Sequence, residues 1–87
     1  DSTMIIPKLE LTEEFVLSQV NDVKYFYDDM LTICVMTTLS GFKIVGESNC
    51  FSREKYSKEL GMKYSRADAT KKLFEHCAFY LLTINSN

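Results

Sequence analysis

The residues best suited to binding chemistry lie where a hydrophobic strand gives way to a helical pattern. Gly46 closes the run of strand-favouring residues at 42–45, and Ser52 and Arg53 begin the helical pattern a few residues later. A helix N-terminus presents free backbone N–H groups and the positive end of the helix dipole, so it attracts anions. The intervening loop is therefore a candidate anion site, although one glycine before a helix is a common and weak phosphate signature.

Six polar side chains form the predicted binding site. Four belong to this loop and the first helical turn, and two lie farther along the helix: Glu47, Ser48, Asn49, Arg53, Lys63 and Arg66. Arg and Lys side chains donate charge-assisted hydrogen bonds to phosphate oxygens. The set thus predicts recognition of an anion or of a polar surface on a partner.

Nucleophile-type residues are present, but the sequence places no base beside them. Ser48 and Cys50 would need an adjacent base, and His76, the single histidine, lies far along the chain. Cys77 follows His76, but neighbouring residues on a helix point in different directions, so this pair does not predict a metal site. We expect no catalytic residue, no metal and no cofactor, and hence a protein that is not an enzyme.

The three cysteines, Cys34, Cys50 and Cys77, are an odd set without C-x-x-C spacing. This usage disfavours a disulfide scaffold and fits a reducing compartment. We interpret the cysteines as small buried or half-buried apolar residues.

Length and charge limit the kind of protein. Its 87 residues make one domain with a thin core, for which oligomerisation is a common remedy, so we expect self-association. Acidic residues outnumber basic ones seven to two in residues 1–40, whereas basic residues lead eight to five in residues 41–87. These oppositely charged halves could meet across the fold or a subunit interface, the basic half could bind an anion, or the charges could simply solvate a helix.

The expected organisation is an N-terminal arm at 1–11, a single α+β domain at 12–84 and a tail at 85–87. Asp1-Ser2-Thr3 precede Met4, and we interpret these three residues as a cloning remnant. No apolar stretch approaches the roughly 18 residues that a membrane span needs. We therefore expect a soluble, intracellular protein.

Residue periodicity predicts a short N-terminal helix, a small antiparallel β-sheet of two to four strands and one long C-terminal helix packed on the sheet. Thr12 is a hydroxyl N-cap before Glu13 and Glu14, so we expect a helix over about residues 12–22. Residues 25–27, 31–39 and 42–45 are rich in β-branched and aromatic residues and are separated by turn signals. They predict a three-stranded meander or a long hairpin with a short leading strand.

The long helix should begin with Ser52 as its N-cap and fray near His76. Two rows of residues should share its sheet-facing side, a small one and a larger apolar one: Gly61, Ser65, Ala69 and Leu73, and Tyr56, Leu60, Tyr64 and Ala67. Small residues at a four-residue step allow a helix to lie very close to another surface. Residues 79–84, FYLLTI, fit either the end of this helix or a last strand.

Several short motifs follow one another over residues 25–82. They are Thr32 and Cys34 in a threonine-containing strand, Gly41-Phe42, Gly46-Glu47-Ser48-x-Cys50, Tyr56, Glu59-x-Gly61, Ala69, Lys72-Leu73 and Tyr80-Leu81-Leu82. Their combined spacing resembles a family of small tailed-phage proteins of the gene-49/gene-66 type. The chain departs from that pattern with Ser40 for an Asn, Asn49 and Ser65 for alanines, and Phe74 for a Trp. The resemblance implies a phage gene product that acts in the host bacterial cytoplasm, and it brings no catalytic residues.

Three functions follow as hypotheses. The first is a small interaction protein that binds a bacterial host protein and inhibits or redirects it, in host takeover or counter-defence; the many aromatics favour it because aromatics are enriched at interfaces. The second is a sponge for a cyclic or ADP-ribose-type nucleotide signal, held by aromatic stacking and by Lys or Arg. The third is nucleic-acid binding, since the helix–sheet–helix order with a late basic helix resembles double-stranded RNA-binding domains. The pI near 5.3 disfavours the third.

Overall fold

The computed structural model describes residues 11–85, which form an α+β domain. Its elements are α1 (Glu13–Ser18), β1 (Val20–Asp28), β2 (Leu31–Thr38), β3 (Lys43–Asn49) and α2 (Lys58–Asn85). The predicted architecture is confirmed: a short helix, a small antiparallel sheet and one long helix packed on that sheet. The predicted arm and tail lie outside the described residues, apart from residues 11 and 85.

The first helix begins as predicted and ends earlier. The Thr12 hydroxyl accepts a hydrogen bond from the Phe15 N–H at 3.0 Å, which is the expected N-cap. The extension to residue 22 is wrong, because β1 begins at Val20. An irregularity in pairing between Val20 and Asp22 inserts an extra residue, and both Val20 and Val23 then pack against the core. The bulge gives two strand valines the three-residue spacing that suggests a helix.

The sheet is a three-stranded antiparallel meander in the order β1-β2-β3. The first strand has nine residues, so it is a full partner of β2 rather than a short leading strand. Alternate β2 side chains from Thr32 to Thr38 are buried under α2, and those between them are half-buried on the opposite face. We call that opposite side of the sheet the outer face.

The long helix starts at Lys58, so the prediction of a start at Ser52 is wrong. Residues 53–55 form a turn instead, and the Ser57 hydroxyl accepts the Leu60 N–H at 3.0 Å, as an N-cap does. A serine five residues later thus supplies the same chemistry, after the loop has carried the chain back over the sheet. The helix runs unbroken to Asn85, so it does not end near His76, and residues 79–84 are its end rather than a strand.

The small row of α2 packs against the sheet, as predicted. Its buried residues follow a four-residue step along the helix: Gly61, Ser65, Ala69, Leu73, Cys77 and Leu81. Gly46 of β3 lies directly beneath this row, since a Cβ added there would overlap the Ser65 carbonyl oxygen and the Ala69 nitrogen. The adjoining larger row does not pack on the sheet: Leu60, Tyr64 and Ala67 are exposed, because the helix contacts the sheet along one narrow row.

Candidate functional site

The six predicted site residues do not converge on one site. Ser48 and Asn49 line a pocket at the N-terminal end of α2. Lys63 and Arg66 lie in a separate groove between the two helices. Glu47 and Arg53 each make a structural contact elsewhere, which is described below.

Arg53 forms an exposed ion pair instead of facing an anion site. Its two terminal nitrogens donate to the two carboxylate oxygens of Asp29 at 2.9 and 3.0 Å. Asp29 occupies the β1–β2 turn with a left-handed backbone, φ 53°. The helix N-terminus on which the predicted anion site depended is not at Ser52, since residues 46–49 belong to β3 and α2 begins at Lys58.

The pocket at the N-terminal end of α2, here called the end pocket, has a volume of about 300 Å³. Its walls are mostly apolar and come from the β1–β2 turn, the end of β3, the 50–57 loop and α2; aromatic and apolar members include Met30, Phe51, Tyr56, Leu60 and Tyr64. Lys55, Ser48 and Asn49 add polar groups. An apolar cleft with a few polar groups is the usual composition of a small-molecule site, and this volume is at the small end of the range.

The groove between α1 and α2 mixes both signs of charge. Lys63, Arg66 and Lys71 lie along one wall, with Glu13 and Glu75 in the same groove. The acidic and basic halves of the chain therefore meet within the fold, here and at the Asp29–Arg53 pair. These alternating charges do not give the uniform basic surface that dominates affinity for nucleic acids.

The edge of the sheet at β3 is closed by two side chains of α2. The Asp68 carboxylate accepts the backbone N–H of Glu47 at 3.0 Å, and the Lys72 ammonium donates to the Val45 carbonyl at 2.9 Å. Asp68 and Lys72 also pair with each other at 3.3 Å, one helical turn apart. The Glu47 N–H, more than any other cause, holds the pKa of the Asp68 carboxyl below its usual value, with Lys72 contributing. We call this arrangement the edge clamp.

The outer face of the sheet carries an apolar patch that nothing within residues 11–85 covers. Phe26 is 55% exposed and Val45 is 47% exposed, and half-buried β2 side chains lie between them. The patch comprises Phe26, Leu31, Ile33, Val35 and Val45, which the strand register places side by side. Sequence reasoning missed it, although the run at 31–36, apolar except for Thr32, was an available signal, because strands that are apolar on both faces are usually covered on both.

The cysteines and the histidine occupy separate parts of the domain. Cys34 and Cys77 are buried, which raises the pKa of both thiols, and Cys50 is half-buried with its thiol donating to the Ser52 carbonyl at 3.1 Å. The interpretation of the cysteines as buried or half-buried residues is confirmed. His76 packs edge-on against Phe42 at a ring-centroid distance of 5.3 Å, at the end of β3 opposite Cys50. No group of three metal-ligating side chains occurs in the described part of the chain.

Of the helices in residues 11–85, neither is both long and apolar enough to cross a membrane. Comparison with curated proteins and with solved structures found no match. A family model does match, over residues 11–84, which is almost the whole described domain. The phage resemblance carried by the Gly46-Glu47-Ser48-x-Cys50 motif and its neighbours is thereby confirmed: the chain belongs to the Phage protein (N4 Gp49/phage Sf6 gene 66) family.

Proposed function

We propose that this phage protein is a non-enzymatic interaction protein that binds a bacterial host protein in the cytoplasm and inhibits or redirects it. The observation that carries the proposal is the apolar patch on the outer face. Contiguous exposed apolar surface of this kind marks interaction sites in small proteins. Phe26 is the aromatic member of the patch, and aromatics often supply much of the binding energy at interfaces.

The surroundings of the patch also fit a protein interface. Charged side chains border it on the same face, with Lys24 on β1 and Lys43 and Glu47 on β3. An apolar centre with a polar rim is the usual layout of a protein–protein interface. The Lys43 ammonium donates to the Thr37 hydroxyl at 2.9 Å, so part of this rim is already held in place.

The test is affinity capture from a lysate of a susceptible bacterium, followed by titration of the purified partner. Val45→Glu places a charge in the patch at an exposed position, so it should leave the fold intact and weaken the partner at least about tenfold, the effect of roughly 1.4 kcal/mol. Leu39→Glu is the matched control, because Leu39 is 63% exposed in the turn after β2. Absence of a stoichiometric partner, or equal binding by both variants, would contradict the proposal.

The end pocket favours a second candidate function, sequestration of a cyclic or ADP-ribose-type nucleotide. Tyr56, Tyr64 and Phe51 offer rings for stacking on a base, and Lys55 offers a charge for a phosphate. A bound nucleotide should raise the melting temperature with its concentration. Tyr56→Ala should reduce that shift, whereas Tyr80→Ala, outside the end pocket, should not. A wild-type protein that shows no shift with either nucleotide class would exclude this candidate.

A further inference from the structure

We propose that a second copy of this chain adds to the free edge of β1, antiparallel and centred on Phe26, so that two three-stranded sheets join into one of six strands. The proposal concerns the purified protein alone and does not depend on a host partner. It rests on three observations: unequal protection of the two sheet edges, the charge pattern along β1, and the position of α2.

The two edges of the sheet differ in how their backbone groups are satisfied. Alternate residues of a strand direct their N–H and C=O groups to opposite sides. On β3, the edge clamp occupies two of the outward groups, the Glu47 N–H and the Val45 C=O. On β1, the same alternation directs the groups of Val23, Tyr25 and Tyr27 outward, and within residues 11–85 no hydrogen bond reaches them.

An unprotected edge is a template for pairing with another strand, and proteins usually block it. Here one edge is closed by a dedicated pair of α2 side chains while the other is left open. The inner-face residues at the β1 edge are Val23, Tyr25 and Tyr27, so no inward-pointing charge blocks strand addition. Helix α2 packs mainly against β3 and less against β2. Near β1 it contributes the Lys58 ammonium, which lies over the Tyr27 ring, and α1 makes a small contact with β1.

The charges along β1 select one register for a second copy. Pairing centred on Phe26 places Lys24 opposite Asp28 of the other copy, twice by symmetry, and brings Phe26 against its symmetry mate. Pairing centred on Lys24 sets two ammonium groups opposite each other, and pairing centred on Tyr25 sets Asp22 opposite Asp28. Opposite charges across a strand pair are favourable and like charges are unfavourable. The first register is therefore the preferred one of the three.

This register also extends the apolar patch. Phe26 and Ile33 are paired across β1 and β2 on the outer face. In the pair of molecules, Phe26 of each copy lies at the centre, with Ile33 of both copies on either side. The two outer faces become one continuous apolar surface, larger than either chain presents alone.

Charge reversal tests the proposal on the purified protein by analytical ultracentrifugation. Wild type should show a concentration-dependent dimer. Lys24→Asp and Asp28→Lys should each weaken it at least about tenfold, because each replaces two attractive pairs with two repulsive ones. The double variant should restore dimerisation, since it exchanges the two signs. Lys24 and Asp28 are both exposed, so the variants should keep the wild-type circular dichroism spectrum.

Disulfide trapping in a Cys50→Ser background fixes the register. Phe26→Cys should crosslink to itself under mild oxidation, whereas Lys24→Cys should not, since its symmetry mate lies about 13 Å along the strand, four residues away. A protein that stays monomeric at all concentrations, a dimer insensitive to the single reversals, or efficient crosslinking through position 24 rather than 26 would each overturn the proposal. None of these results depends on whether a host partner exists.

Discussion

Helix α2 and β2 approach each other closely at the Gly61–Thr32 pair, which makes a quantitative prediction possible. A Cβ added to Gly61 would overlap the Thr32 hydroxyl oxygen and lie 3.1 Å from the Thr32 Cβ. Thr32 is fully buried, and its hydroxyl has no hydrogen-bond partner within residues 11–85. The hydroxyl therefore fills the space that a side chain at position 61 would need.

Two effects of known size oppose each other in Gly61→Ala. Alanine is favoured over glycine in a helix interior by about 1 kcal/mol, whereas overpacking a buried contact costs about 1–3 kcal/mol. We expect overpacking to dominate, so that Gly61→Ala lowers the free energy of unfolding by about 1 kcal/mol. Gly61→Leu should lower it by at least as much, because a larger side chain cannot fit beneath the helix.

Thr32→Ala separates the two effects. It loses about 0.8 kcal/mol of methyl burial but removes a buried hydroxyl without a partner, which costs about 1–3 kcal/mol to keep, so its own effect should be small. In that background the overlap with the hydroxyl is gone, and Gly61→Ala should become neutral or stabilising. The predicted coupling between positions 61 and 32 is about 1–2 kcal/mol.

The assay is urea unfolding followed by circular dichroism for the four proteins of this double-mutant cycle. The four proteins should share one dependence of stability on urea, so that midpoints can be compared. The reasoning would be refuted if the effect of the double variant equalled the sum of the two single effects within about 0.5 kcal/mol. That result would show that the Thr32 hydroxyl is not what excludes a side chain at Gly61.

Three further predictions concern other contacts. Gly46→Ala should destabilise more than Gly61→Ala, since its Cβ meets backbone of α2 that no side-chain change can move, and urea midpoints would show it; equal midpoints would contradict it. The lowered pKa of Asp68 contributes stability that is present above about pH 4 and is lost as pH falls through the folded-state pKa. The urea midpoints of wild type and Asp68→Asn should therefore converge on acidification. A difference between the two midpoints that does not change with pH would contradict this. Cys50 should react with a thiol reagent before Cys34 and Cys77, whose pKa values burial raises, as absorbance would show; three equal rates would count against the packing.

The buried row of α2 could be predicted from the sequence because its signal is local. Small residues at every fourth position of a helix allow it to pack closely against another surface. Such packing also explains why a glycine, which lowers helix stability, occupies position 61. The helix starts were harder to predict. Ser52 and Ser57 are equally good caps by local chemistry, and only the path of the loop over the sheet decides between them. In β1, the bulge beside Val20 places the core-facing residues Val20 and Val23 three positions apart, as they would be on one face of a helix.

The candidate site was less predictable than the fold because it depends on which loops and edges come together. Arg53 was placed beside Ser48 by sequence proximity, but its partner is Asp29, 24 residues earlier in the chain. Lys72 entered only as part of the Lys72-Leu73 motif, and its contact with the β3 edge is visible only once α2 lies alongside β3. The outer-face side chains of β2 could have been recognised from the sequence. They are as apolar as those of a strand that is covered on both faces.

One structural cause links the packing of α2 to the surfaces left for binding. Because Gly46 has no side chain, α2 can lie against the backbone of β3, and at that distance Asp68 and Lys72 reach the β3 edge. A helix held there packs mainly against β3 and β2, so the same contact that binds the β3 edge leaves the backbone groups at the β1 edge unpaired within residues 11–85. Loss of close packing at Gly46 should therefore free the β3 edge as well as destabilise the domain. A destabilised Gly46 variant that remains folded should then form mixed edge pairings rather than a single symmetric dimer.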